Sequence, residues 1–159
     1  MNRRSILKLA VTLLAGFSLL PARALARNET EKEKQQMSNT NETVVLYLAA
    51  WSEPDAKRRR ELVSKVWADG GTYIDGAREG QGYDGISAMI GKAQEHFPGY
   101  RLNLASSVER HHAYVRFSWV AGGTADAPLY IKGTDFASVA DDGRFSSVVG
   151  FVDAAPAAK

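Results

Sequence analysis

Between His111 and Asp153 large apolar residues alternate with polar ones at a period of two, the mark of half-buried strands. Tyr114 to Val120, Leu129 to Ala140 and Phe145 to Val152 each carry that pattern. Asp141-Asp142-Gly143-Arg144 joins the last two, and Asp and Gly tolerate the positive φ of a hairpin turn. Three antiparallel strands are therefore expected. Upstream the period lengthens. Val44, Tyr47, Leu48 and Trp51 recur at helical spacing, which predicts a first helix over 42–51 with Asn41 as its N-cap. Pro54-Asp55 predicts a second start, and Leu62, Val63, Val66 and Trp67 give that helix its apolar face. Gly70-Gly71 predicts its end, Thr72-Tyr73-Ile74 a short strand closed by Asp75-Gly76, and 77–82 a polar, glycine-rich loop. A third helix is expected over 83–96, with Ile86, Ile90, Ala93 and Phe97 on one face and Pro98-Gly99 stopping it. One more strand opens at Tyr100 and is expected to run on to Arg110.

Helices first and a strand meander after predict an α+β fold, with three N-terminal helices packed on one face of a curved antiparallel sheet. Such a sheet can enclose an apolar cone with one open mouth. Tyr47, Trp51, Tyr73, Phe97, Trp119 and Phe151 would line it or fill it.

Composition changes this picture at the N-terminus. The 159 residues, 45% of them apolar, suit one globular domain. Residues 1–26 read as an export signal: Arg3-Arg4, an apolar run from Leu9 to Leu20, then Ala24-Leu25-Ala26 as a cleavage site. The run is too short to span a membrane. NRRSILK resembles a bacterial twin-arginine signal, so a periplasmic or secreted protein is expected, with no stable membrane anchor after cleavage. This segment holds four basic and no acidic residues, so the formal charge falls from +2 to −2 without it. The basic balance thus belongs to the signal and gives no support to nucleic-acid binding. Residues 27–41 are charged, amide-rich and nearly free of apolar side chains, which predicts a disordered leader before a domain at 42–153 and a flexible tail at 154–159. There is no cysteine, which excludes disulfides, thiolate metal sites and a Cys nucleophile.

Candidate chemistry is sparse. No phosphate-binding loop, G-x-S-x-G elbow or metal-ligand spacing is present. His111 and His112 are adjacent, so on a strand they would face opposite ways, one at the surface and one partly buried. Lys57-Arg58-Arg59-Arg60 reads as a solvated helix face. Three polar groups remain: Tyr47 on the apolar face of helix one, Asp75 at a strand end, and Asp135 inside the middle strand. Either they converge as an acid-base site, or Tyr47 is core, Asp75 caps a turn and Asp135 faces water or pairs with Arg116 or His112.

The segments YLAAWSEPD, WADGGTYIDG, FPGY, RFSW, GTDF and DDGRFSSVVGFVD resemble the nuclear transport factor two superfamily, in particular its SnoaL-like branch. That resemblance spans about residues 41–153 and implies a cone-shaped α+β barrel with a deep pocket, often paired as a homodimer through its sheet. It includes polyketide cyclases, ketosteroid isomerases and non-catalytic binding or dimerisation domains. By likeness to the ketosteroid isomerases, Asp75 would move a proton while Tyr47 and Asp135 donate to an oxyanion. Trp51, Tyr73, Phe97, Trp119 and Phe151 would hold a small hydrophobic, carbonyl-bearing ligand, with no cofactor required. Asp75 is followed by Gly76 where the family commonly has proline.

Overall fold

The computed structural model describes residues 20–122 and 130–154, with side chains from 27 to 122 and from 131 to 153. The expected signal peptide and the last residues of the expected tail lie outside the described residues or their side chains. No helix among the described residues is long and apolar enough to cross a membrane. The chain divides into two units after Glu33, and the unit from Lys34 onward holds α2, α3 and the sheet.

Three helices come first, α1 (Leu20–Ser52), α2 (Ala56–Val66) and α3 (Gly82–His96). Seven strands make one sheet: β1 (Trp67–Ile74), β2 (Glu79–Gln81), β3 (Arg101–Leu104), β4 (Glu109–His111), β5 (Tyr114–Gly122), β6 (Tyr130–Val139) and β7 (Phe145–Ala154). The order is β2-β1-β7-β6-β5-β3, with β4 also on β5. The α+β class is as expected. The sheet, however, is curved but not closed, and it is mixed, because β1 lies parallel to β7 while the other pairs are antiparallel. Alternation along a strand reports which face is buried, not the direction of its neighbour.

Several local expectations are corrected. The predicted leader is helical: α1 runs through residues 27–41, and Asn41 is interior to it rather than its cap. From Arg27 to Ser52 there is no Gly or Pro, and Glu, Lys and Gln propagate a helix even where no face is buried. Within the unit from Lys34 onward, Thr40, 1% exposed, accepts from Arg110 Nη1 of β4 at 2.6 Å. Trp67 begins β1 instead of ending α2 but still points inward, its indole N–H donating to Thr72 O at 3.2 Å. Gly70, at φ 69°, lies in a β1 irregularity, not at a helix end. The expected loop contains β2, and the expected long strand is interrupted between β3 and β4. His112 sits in the tight β4–β5 turn at φ 55°, and both histidines are exposed.

Arg59 is not part of a solvated face. It is 7% exposed and donates to Ser87 O, Glu53 O, Pro54 O and Gln94 Oε1 at 3.0–3.1 Å. Gln94 in turn donates to Trp51 O and Glu53 O. This pair joins α2 and α3 to the turn where α1 ends, and so fixes Trp51. α2 starts where Pro54-Asp55 predicts, and Asp55 is its N-cap, accepting from Arg58 N at 2.9 Å.

The core lies between helices and sheet. Tyr47 meets Trp67 and Phe117 with ring centroids 5.3 and 5.2 Å apart, and Phe117 stacks on Phe145. Tilted and edge contacts of this kind add about 0.5–1.5 kcal/mol per pair beyond area burial. Tyr114, Phe136, Val149 and Phe151 are large apolar side chains of β5, β6 and β7 left exposed at 38–59%.

Candidate functional site

A cavity of about 730 Å³ opens between the end of α1, α3 and the inner faces of β1, β5, β6 and β7. Among the described residues its charged lining is Asp75 and Arg78, and the rest is mainly aromatic and aliphatic. Tyr47 reaches it from α1, one turn before Trp51. The Tyr47 hydroxyl donates to Asp135 Oδ2 at 2.5 Å.

Asp135 is fully buried in β6, opposite Phe117 of β5 and Gly150 of β7. It does not itself line the cavity but sits behind Tyr47. Neither Arg116 nor His112 is its partner; Arg116 instead pairs with Glu109 at 2.7 Å. Asp135 Oδ1 makes no hydrogen bond among the described residues. Burial pushes this carboxyl up to about 6, against the lowering pull of Tyr47 and of the nearby Trp119 indole, with Asp75 adding to the rise. The Tyr47 phenol is raised well above its ordinary value by burial and then by the Asp135 charge, so it stays a donor.

Two glycines make this arrangement fit. A Cβ on Gly133 would collide with the Trp119 ring, so its absence lets that indole lie across β6 beside Asp135. A Cβ on Gly150 would come within 2.6 Å of the Tyr73 hydroxyl and 3.0 Å of Asp135 Oδ1.

Asp75 follows β1 at the cavity wall, its side chain 1% exposed. Oδ1 accepts from Ala77 N at 2.7 Å and Arg78 N at 2.8 Å. Oδ2 accepts from the Tyr73 hydroxyl and Arg78 Nη1, each at 3.0 Å. Four donors thus occupy its acceptor positions. Burial first, then the two aspartate charges, also raises the Tyr73 phenol. The site is therefore two phenol–carboxylate pairs set in an apolar wall. Among the described residues no cluster of three or more His, Asp or Glu could hold a metal ion.

No protein-family model matches the chain, and none of the curated proteins does. Solved structures do. A proposed isomerase of the SnoaL-like family from Agrobacterium tumefaciens is 41% identical, with 74% of this chain covering 99% of that one at TM-score 0.68. This chain belongs to the SnoaL-like family. Two more distant structures share the fold. One is a proposed SnoaL-like polyketide cyclase from a Jannaschia species, 18% identical over 73% of this chain and 86% of that one, at TM-score 0.60. The other is a nuclear transport factor two-like protein of unknown function from an Exiguobacterium species, 20% identical over 70% and 98%, at TM-score 0.57.

In this SnoaL-like domain Tyr47, Asp75, Trp51, Tyr73, Phe97, Trp119 and Phe151 all line one cavity, while Asp135 reaches it only through Tyr47. The aromatic residues line the space and do not fill it. Sequence reasoning missed Arg78, Gln94, Tyr100 and Gly150. Gly150 was the one with a readable signal, because a glycine inside an apolar strand marks a close approach. Arg78 lies in the segment expected to be a polar, glycine-rich loop.

Proposed function

We propose that this SnoaL-like domain binds a small hydrophobic carbonyl compound and moves a proton on it without a cofactor, as an isomerase or cyclase would. The observation that carries this reading is the convergence of Tyr47, backed by Asp135, and of Asp75 on one apolar cavity. Asp75 takes a proton from the carbon next to the carbonyl. The C–H electron pair becomes the new C=C bond and the carbonyl pair moves onto oxygen. Tyr47 donates to that oxyanion, and Asp135, when protonated, donates to Tyr47 and strengthens it. Asp75 then returns the proton to a different carbon of the conjugated system, or the enolate carbon attacks a second carbonyl carbon, whose π pair moves onto its own oxygen and takes the proton from Asp75. To act as base, Asp75 must first lose one donor. Arg78, with 29% of its side chain exposed, is the partner best placed to leave.

One observation favours a second reading, a pocket that binds without catalysis: the four donors already held by Asp75. The two are separated by exchange of 2-tetralone hydrogens for deuterium in heavy water, followed by proton NMR. Catalysis predicts exchange roughly 10²-fold above buffer, lost in Asp75→Asn while the ketone still binds. A parent protein that binds the ketone yet exchanges it no faster than buffer is a binder only.

A further inference from the structure

Among the described residues the charged lining of the cavity is one carboxylate and one cation, and the two are held unequally. The Asp75 side chain is 1% exposed and already accepts four hydrogen bonds. The Arg78 side chain is 29% exposed and donates one, from Nη1 to Asp75 Oδ2 at 3.0 Å. Its Nε and Nη2 make no hydrogen bond among the described residues. A guanidinium built into the scaffold looks different: Arg59 is buried and uses its donors on four acceptors. The Arg78 backbone is fixed, since its N–H donates to Asp75 Oδ1 at 2.8 Å and its carbonyl accepts from Asp75 N at 2.9 Å. The side chain extends from that turn with a single ion pair to hold it.

A cation with an open edge, set in an apolar wall, is a site for an anion. The guanidinium is a planar fork, and its Nε and Nη2 offer two parallel donors that match the two oxygens of a carboxylate. Asp75 can share its partner at little cost. If Arg78 turns towards a second acid, two backbone N–H groups and the Tyr73 hydroxyl still hold the Asp75 charge. A single added negative charge fits this arrangement. A dianion such as a phosphate monoester meets stronger repulsion from Asp75 at the same place.

We propose that Arg78 is the anion subsite of the cavity and that the ligand carries a carboxylate, which pairs with the open edge of this guanidinium. This deepens the function proposed above and rests on its reading of the cavity as a ligand site, though it holds whether or not Asp75 catalyses. The ligand class narrows from a hydrophobic carbonyl compound to a hydrophobic acid of that kind, with its apolar body against the aromatic wall and its carboxylate beside Asp75. The ligand's own acid then competes with Asp75 for Arg78. That competition supplies the loss of one donor that a basic Asp75 requires.

The test uses two probes of nearly the same shape, 2-naphthylacetate and 2-naphthylacetamide, which at neutral pH differ by one negative charge. Affinities are measured by calorimetry for the parent and for Arg78→Gln. The parent should bind the acid roughly tenfold more tightly than the amide, the effect of a charge-assisted hydrogen bond at a partly exposed site. Arg78→Gln should lose that preference, while its affinity for the amide changes by less than about twofold. The parent alone already puts the subsite at risk, with no variant that must fold: an amide held as tightly as the acid overturns the anion subsite and leaves the cavity reading intact. A preference for the acid that survives in Arg78→Gln places the anion on another group and overturns the assignment to Arg78. Failure of the parent to take up either probe overturns the cavity reading and the subsite with it.

Discussion

Arg59 and Asp135 are both buried charged residues, and the fold treats them in opposite ways. Arg59 donates to three backbone carbonyls and a side-chain amide, and Gly91 leaves it room, since a Cβ there would stand 2.7 Å from Nη2. Asp135 has one hydrogen bond, from Tyr47, and its second oxygen makes none among the described residues. A charge that serves the scaffold is surrounded by partners. A charge left half satisfied behind a cavity is stabilised only when something else arrives, which is what a binding site requires. The contrast locates the site more sharply than burial does, because both groups are hidden from solvent.

The largest effect should come from the satisfied charge. Arg59→Met removes the guanidinium donor from the carbonyls of Ser87 and Pro54, and from that of Glu53, which keeps only Gln94, and should lower unfolding free energy by roughly 3–5 kcal/mol, read as a lower urea midpoint. A loss under about 1 kcal/mol would erase the contrast. The half-satisfied charge should behave differently. Asp135 holds its proton in the folded state up to about 6 and releases it near 3.8 when unfolded. The folded state therefore binds more protons across that window, and its contribution to stability falls as pH rises from about 4 to 6. Asp135→Asn removes this loss. It should match the parent near pH 4 and exceed it by roughly 1–3 kcal/mol at pH 8. Thermal melts of both proteins across that range check this, and a variant less stable at pH 8 than at pH 4 relative to the parent would reverse the sign.

The sequence made the interior faces legible and the partners much less so. Val44, Tyr47 and Trp51 fell on one helix face because helical period alone places them. Asp135 stood out because a carboxylate in an apolar strand needs an explanation. Arg59 was hidden in a basic run: four adjacent cations on a helix look solvated, and nothing local says that one of them turns inward to meet α3. The parallel pairing of β1 with β7 was also out of reach, since it joins segments about seventy-five residues apart. The same applies to Arg78, whose meaning comes from the Asp75 carboxylate beside it.

A half-satisfied Asp135 beneath the cavity must be a carboxyl that keeps its proton to unusually high pH. Carbon-13 NMR titration of aspartate-labelled protein, with the Asp135 signal identified by its absence from Asp135→Asn, measures this directly. The predicted midpoint is about 6. A midpoint at or below about 4, the ordinary aspartate value, would show an ionised and well-partnered group and would contradict that picture of the site.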